Sequence, residues 1–395
     1  MLSICSFLAK IEHMISRLLS SSLRKSPKSV LLLGPRQVGK STLIKALKPE
    51  LEINLADEAQ FLRYASDPAQ FRDDILGSEC STIFIDEIQR LPRLLNSIQA
   101  IIDDNRALKF YLTGSSARKL RRSDANLLPG RILRHNLGPL VACELDYKLN
   151  TNKALEIGTL PEAYLEKSRE LSERLLKTYA GVYLAEEIKA ESLVRDLNSF
   201  ARFLSEVGVL LGTFIDLTKL AQRAKISRHA APRYFEILED SMIGRRLYPF
   251  TGCEHDIDLV KHPKFYLFDN GVANGMLGNF IASRDRIGIL AEQLVLNQLV
   301  HSAWAHDEDI TVSTFRTRSG LEVDYIVTLS NKLFAIEVKT SDNIATDDLT
   351  GLQFFHEHFK GKVAGAYVLH MGKTARKFGK IWSLPWQEGL REIGL

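Results

Sequence analysis

Short runs of consecutive apolar residues punctuate the first third of the chain: Ser29-Val-Leu-Leu-Leu33, Thr82-Ile-Phe-Ile85 and Lys109-Phe-Tyr-Leu112. Runs of this length, bounded by polar or glycine-rich sequence, predict strands buried on both faces, and the segments between them predict helices. Strand and helix alternating in this way give an α/β fold. Ahead of them Ile11, Met14, Ile15, Leu18 and Leu19 follow helical spacing and predict an amphipathic N-terminal helix. Residues 154–203, rich in Leu, Glu, Lys and Arg at helical spacing, predict a helical lid. Asp216 to Ile226 and Ser227 to Leu238 then predict helix, tight turn and second helix, and Ile243-Gly-Arg-Arg-Leu-Tyr248 a wing. This is the pattern of a winged helix-turn-helix. Further on, Leu321-Glu-Val-Asp-Tyr-Ile-Val327 and Leu333-Phe-Ala-Ile-Glu-Val-Lys339 alternate in polarity and predict a hairpin.

The turn after the first strand carries the first candidate chemistry. It reads Gly34, Pro35, Arg36, Gln37, Val38, Gly39, Lys40, Ser41 and Thr42, a Gly-x-x-x-x-Gly-Lys-Ser P-loop between a strand and a helix. Its glycines let backbone N–H groups curl around phosphates, and the helix points its positive end at them. Lys40 then contacts the β- and γ-phosphates of ATP, and Ser41 ligates Mg²⁺. The second strand ends in Asp86 and Glu87, a Walker-B pattern in which Asp86 holds the metal through water and Glu87 polarises the attacking water. The third ends in Thr113-Gly-Ser115, where Thr113 or Ser115 is either a sensor of the γ-phosphate or a turn former. Arg131 is either a finger that reaches a neighbouring subunit's ATP, a cis-acting cation or a solvated side chain.

These motifs set the domain plan: an N-terminal helical segment (1–27), a P-loop ATPase core (28–150), the lid (151–205), a winged-helix-like domain (206–255) and a C-terminal domain (262–395). With 395 residues the chain exceeds one ordinary core. A formal charge of only +4 does not announce a nucleic-acid binder, so DNA contact must rest on local features. Those features are Arg228, His229 and Arg233 near the start of the second helix, with Arg245 and Arg246 as candidate phosphate contacts; Pro232 warns that this helix is bent or starts late. Cys5, Cys80, Cys143 and Cys253 lie far apart, which suggests neither zinc nor disulfides and fits the cytoplasm. The opening decapeptide lacks a basic n-region and a cleavage site, and no later apolar run reaches the ~18 residues of a membrane span, so a soluble protein is expected.

The hairpin holds a second candidate site. With Ser330-Asn331 at its tip, Val323, Tyr325 and Val327 oppose Val338, Ile336 and Phe334 on one apolar face. The other face then pairs Asp324 with Glu337 and Glu322 with Lys339. Two opposed carboxylates repel unless a cation lies between them, which predicts Mg²⁺ at Asp324 and Glu337 with Lys339 beside it.

This Asp…Glu-x-Lys arrangement resembles the metal site of restriction-endonuclease-like PD-(D/E)XK nucleases, which implies Glu292 as a further acid from the preceding helix. The chain as a whole resembles the AAA-type, STAND-like P-loop ATPases. More closely, it is similar to a prokaryotic family that fuses such a module to a C-terminal domain of unknown function. The residues that carry this are GPRQVGKST, IFIDEIQRLP, YLTGSSARKL, PGRILRHNLGPL, GTLPEAYL, HPKFYLFDNG and LEVDYIV with AIEVKT, spanning roughly Met14 to Trp386. Two functions follow as expectations. One is an ATP-hydrolysing protein that processes DNA through the winged helix and a nuclease-like domain, as a homo-oligomer if Arg131 is a finger. The other is a P-loop switch whose C-terminal half binds a protein partner. A small-molecule kinase lacks an acceptor site.

Overall fold

A computed structural model describes residues 15–115, 128–183, 197–252 and 257–395. The start of the expected N-terminal helix, Cys5, Cys253 and the residues after Ser115 in the third motif lie outside them; Cys80 and Cys143 are unpaired thiols.

The apolar runs form strands as expected. β1 (Ser29–Leu33), β2 (Leu51–Asn54), β3 (Thr82–Asp86), β4 (Lys109–Gly114) and β5 (Ile132–Asn136) make one sheet in the order β2-β3-β4-β1-β5, parallel throughout. β1 is buried along its whole length because both faces of the sheet are covered. Leu31 and Leu33 pack with Ile98 and Ile101 of helix Leu94–Asp104 on one side. Val30 and Leu32 pack on the other with Leu19, Leu23, Leu43 and Ile44. This second core does not stop at the sheet. It continues through Tyr179, Phe200, Phe203, Phe235 and Phe268, so the helices expected as a lid and those of the winged-helix segment share one apolar interior with the P-loop module.

That segment comprises helices Leu197–Val209, Leu217–Arg223 and Ala230–Asp240, followed by β6 (Gly244–Leu247). Asp216 caps the second of these helices through the N–H groups of Thr218 and Lys219. The third begins at Ala230, three residues later than expected, so that Pro232 falls in its first turn, where the missing donor is not needed. β6 pairs antiparallel with β7 (Lys264–Leu267), which ties the HPKFYL segment to the strand expected as a wing. The long β6–β7 connection runs along the C-terminal sheet, with Phe250 N donating to Thr314 O and Val260 N to Arg316 O, both at 2.8 Å.

The C-terminal sheet consists of β8 (Ile310–Arg316), β9 (Glu322–Leu329), β10 (Lys332–Lys339), β11 (Val363–His370), β12 (Arg376–Phe378) and β13 (Ile381–Pro385), in the order β12-β13-β11-β10-β9-β8. The β9–β10 hairpin turns on Ser330 and Asn331, both at positive φ (47° and 64°), as a tight two-residue hairpin requires. Its register, Leu329 with Lys332, Val327 with Phe334 and Tyr325 with Ile336, is the one the burial pattern predicts.

Two features differ from that prediction. The ladder ends at Tyr325, and Val323 packs with Phe315, Leu352 and Phe355 instead of facing Val338. Nor is there a polar face: helix Ile287–Ala305 covers one side of the sheet and helix Thr350–His358 the other. The 19-residue helix is apolar nearly all round because it is packed between the C-terminal sheet and the P-loop module. Gln298 donates to Leu140 O at 3.1 Å and accepts from Ala142 N at 2.8 Å, fixing it to the chain that follows β5.

Candidate functional site

All strands of the first sheet run the same way, so the turns after β1, β3 and β4 meet at one edge, where open α/β sheets place their ligands. The P-loop leaves β1 there. Gly34 must be glycine because the chain after β5 crosses it: a Cβ at this position would stand 2.2 Å from Leu137 O. Gly39, at φ 92°, makes the left-handed turn that opens helix Lys40–Ala46. Lys40 is buried and donates to Gly34 O (2.9 Å) and Pro35 O (2.8 Å), so its ammonium is held inside the loop.

β4 lies between β1 and β3, and three polar groups converge across it. Ser41 Oγ donates to Asp86 Oδ1 at 2.9 Å, and Thr113 Oγ1 donates to the same oxygen. Glu87, in the left-handed region at φ 59°, sends its backbone N–H to Thr113 Oγ1 at 3.3 Å. Its carboxylate accepts the side-chain amide of Gln89, which also donates to Ser115 Oγ at 3.1 Å. The expected residues Ser41, Asp86, Glu87, Thr113 and Ser115 are thus one connected cluster, with Lys40 next to Ser41 in the chain and held by the loop carbonyls. A hydroxyl and a carboxylate oxygen at this separation suit Mg²⁺, which is bound by few protein ligands and keeps several waters.

Three residues of this region were not read from the sequence. Gln89 is buried within the cluster, and its Oε1 has no partner among the described residues. Arg17 is buried beneath the loop, donating to Val38 O (2.7 Å), Gly138 O (2.8 Å) and Glu144 Oε1 (2.8 Å). Tyr179 OH donates to Arg36 O at 3.3 Å from the helical region. Only the tripeptide spacing of Asp86-Glu87 and Gln89 could have pointed to the first; nothing local marks the other two.

Arg131 is not at this edge. It precedes β5, whose Ile132 pairs with Ser29 at the start of β1, and its guanidinium grips Asp103 through Nε (2.7 Å) and Nη2 (2.9 Å). The length of β1 puts it roughly 15 Å or more from its own P-loop, at about 3.3 Å per residue, which removes the cis role.

In the segment expected as a winged helix, Arg228, His229 and Arg233 are exposed, together with Lys219, Arg223 and Lys225. Arg245 and Arg246 turn inward. Arg246 makes a paired contact with Glu239 (Nε 2.9 Å, Nη2 2.6 Å), and Arg245 lies 5.3 Å over the Trp304 ring, where burial pushes its guanidinium down to about 10. Neither is presented for phosphate contact, which corrects that expectation.

Of the C-terminal candidates, Asp324, Glu337 and Lys339 come together. Asp324 Oδ2 accepts Val338 N at 2.8 Å, Asp324 N approaches Glu337 Oε2 at 3.4 Å, and Lys339 Nζ pairs with Glu337 Oε1 at 3.1 Å and with Asp348 at 3.1 Å. Glu292 accepts Tyr266 OH at 2.8 Å. Burial, with Asp324 nearby, pushes Glu292 up to about 7 and Glu337 up to about 8. Lys264 of β7, missed in the sequence, is buried against Glu322, Glu292 and Asp324. Among the described residues no group of three or more His, Cys, Asp or Glu is placed to hold a metal ion. In place of the expected Mg²⁺, a backbone N–H meets Asp324 and Lys339 meets Glu337.

The residues of the first of these sites lie within a match to known proteins. Residues 26–145 match the family described as AAA domain. Residues 149–282 and 287–388 match two domains of unknown function, DUF8612 and DUF4143. The first of those two matches spans the expected lid and winged-helix segments together, as their common core does. No curated protein matches the chain. Among solved structures, a replication initiator DnaA bound to AMPPCP and single-stranded DNA aligns at 15% identity over 56% of this chain and 85% of that one, with a TM-score of 0.27. A DNA replication initiation factor aligns at 14% over 57% and 74%, with a TM-score of 0.25. Overlaps this shallow say nothing of function. No helix among the described residues is long and apolar enough to cross a membrane.

Proposed function

We propose that this chain binds and hydrolyses ATP with Mg²⁺, and that nucleotide state in the AAA-matching module governs engagement of DNA by the winged-helix segment. The observation that carries this is the convergence of Lys40, Ser41, Asp86, Glu87 and Thr113 at one edge of a parallel sheet. In this reading Lys40 exchanges its loop carbonyls for phosphate oxygens, while the N–H groups of the loop and the first helical turn line the phosphate cradle. Ser41 and Asp86 would hold Mg²⁺, Asp86 through water, and the ion would supply charge compensation for the phosphoryl group. Glu87 orients and polarises the attacking water, and Thr113 or Ser115 senses the γ-phosphate.

Coupling is supported by Tyr179, whose hydroxyl reaches the P-loop from the helical region that shares its core with the winged-helix segment. The exposed cations Lys219, Arg223, Lys225, Arg228 and Arg233 supply a surface for DNA phosphates. For the C-terminal domain, the order helix, β8, β9, β10, helix, β11 supports the restriction-endonuclease-like reading of the fold. Its engaged carboxylates favour binding over cutting. The inward turn of Arg245 and Arg246 favours a second reading, a switch whose C-terminal half binds protein. A homo-oligomer is proposed if Arg131 acts between subunits, and the cytoplasm as its place.

ATP turnover measured alone and with duplex, single-stranded and branched DNA separates the two. Stimulation by DNA is expected. Turnover that no DNA alters, from a chain that binds none of them, would turn the reading to a protein partner.

A further inference from the structure

Lys264 is only 5% exposed, and three carboxylates converge on its ammonium: Glu322 at 2.8 Å, Glu292 at 3.8 Å and Asp324 at 3.9 Å. The lysine is delivered from outside the C-terminal domain. Its backbone is fixed opposite Leu247 in the β6–β7 pair and bridges Phe214, whose ring lies 5.2 Å from Nζ. A buried ammonium is tolerated only where anions match it, and buried carboxylates only where cations or donors match them. Here each satisfies the other. Although burial opposes it, the surrounding carboxylates raise the Lys264 pKa, so the ammonium stays charged.

Several of these carboxylates have further partners. Glu322 Oε2 accepts from Arg316 at 2.9 Å, Glu292 Oε2 from Tyr266, Asp324 Oδ2 from Val338 N, and Glu337 from Lys339. A divalent ion bound here needs carboxylate oxygens at about 2.0–2.6 Å, and an ammonium cannot share its position.

We infer that Lys264 is the resident cation of this cluster: its ammonium stands among Glu322, Glu292 and Asp324, in the place that a divalent ion shared by those three carboxylates would take, so the cluster takes neither Mg²⁺ nor Mn²⁺. The carboxylates then serve to fix the β6–β7 pair to the C-terminal sheet, and the domain lacks metal-dependent chemistry at this position. This rests on the geometry of the cluster and holds whether or not the chain hydrolyses ATP or binds DNA.

The test uses the full chain without nucleotide, with Mn²⁺ as the probe and melting temperature and Mn²⁺ electron paramagnetic resonance as readouts. The parent and Asp324→Asn should bind the same amount of Mn²⁺ and show the same shift in melting temperature, since any Mn²⁺ held elsewhere is common to both. Lys264→Met strips the cluster of its cation while keeping side-chain length. It should melt lower without metal and gain a Mn²⁺-dependent rise that Lys264→Met with Asp324→Asn loses. Lys264→Arg, which keeps the charge, should gain none. Mn²⁺ binding by the parent that Asp324→Asn removes would overturn the inference, as would a folded Lys264→Met that gains no site. If Lys264→Met does not fold, the comparison of the parent with Asp324→Asn still decides.

Discussion

Ser41 donates its hydroxyl to Asp86 Oδ1 over 2.9 Å, so the two groups that Mg²⁺ would engage stand side by side. The chain of contacts continues from Asp86 to Thr113, from Thr113 to the Glu87 backbone, and from Glu87 through Gln89 to Ser115. Such a network needs little reorganisation on binding, and it divides labour between holding phosphate and orienting water.

That division predicts different losses. Lys40→Ala removes the buried cation of the loop and should abolish binding of a fluorescent ATP analogue. Glu87→Gln should bind it normally while kcat falls by about 10²-fold or more, the usual worth of a positioned base. Binding curves that weaken equally in both variants would sink the assignment.

Gln89 should act on kcat alone. Its amide is buried, close to Gly114, and holds the Glu87 carboxylate, so Gln89→Leu keeps volume but frees that carboxylate. Loss of a hydrogen bond worth about 1 kcal/mol corresponds to about a fivefold effect on turnover. A matching rise in the dissociation constant for ATP, measured on the same preparation, would point to a structural role.

Much of this was legible in sequence because the causes are local. A P-loop needs glycines at fixed spacing, buried parallel strands need unbroken apolar runs, and the hairpin register follows from burial alternation around Ser330-Asn331. What was not legible depends on partners distant in the chain. Lys264 looked like a residue of the C-terminal domain, and only the pairing of β7 with β6 shows where its ammonium goes. The carboxylate face looked solvated because nothing near residues 322–339 announces helix Thr350–His358 as a second cover. Arg17 reaches Val38 and Glu144 across separations of 21 and 127 residues, which no pattern encodes. Likewise Asp269 of the HPKFYLFDNG motif accepts Thr159 N of GTLPEAYL at 2.6 Å, a contact between two segments read as independent.

The arginines of the winged-helix segment should separate by salt dependence. Arg228→Ala with Arg233→Ala removes exposed cations, so the slope of log affinity for duplex DNA against log salt should flatten by about 0.9 per lost phosphate contact. Arg246→Ala should leave the slope alone and instead destabilise the fold by about 1–3 kcal/mol, because Glu239 loses its paired donors. A flattened slope in Arg246→Ala, with the double variant unchanged, would move the DNA surface to the β6–β7 pair.

For Arg131 the position at the far edge of its own sheet excludes direct action on its own nucleotide. Arg131→Ala should therefore retain turnover at dilutions where the chain is monomeric. If subunits share sites, mixing it with Lys40→Ala protein should restore part of any activity lost at high concentration. Lost turnover in the dilute monomer would mean that the Asp103 contact props up the sheet.

Glu337 gives the stability a pH dependence of definite sign. Burial, with Asp324 beside it, raises its carboxyl from 4.5 to about 8 in the folded chain. Between those values the folded state keeps a proton that the unfolded state has released, so stability falls as pH rises across this window. Glu292, raised to about 7, adds a slope of the same sign. His301, buried and held well below its ordinary value, acts below about pH 6.5, where stability falls as pH drops. Comparing the parent with Glu337→Gln isolates the first effect, since the others are common to both. The parent's melting temperature should decline relative to the variant's from about pH 5 to pH 8, and above that range the variant should be the more stable. Parallel melting curves across this range would mean that Lys339, 3.1 Å from Glu337, keeps the carboxylate ionised in the fold.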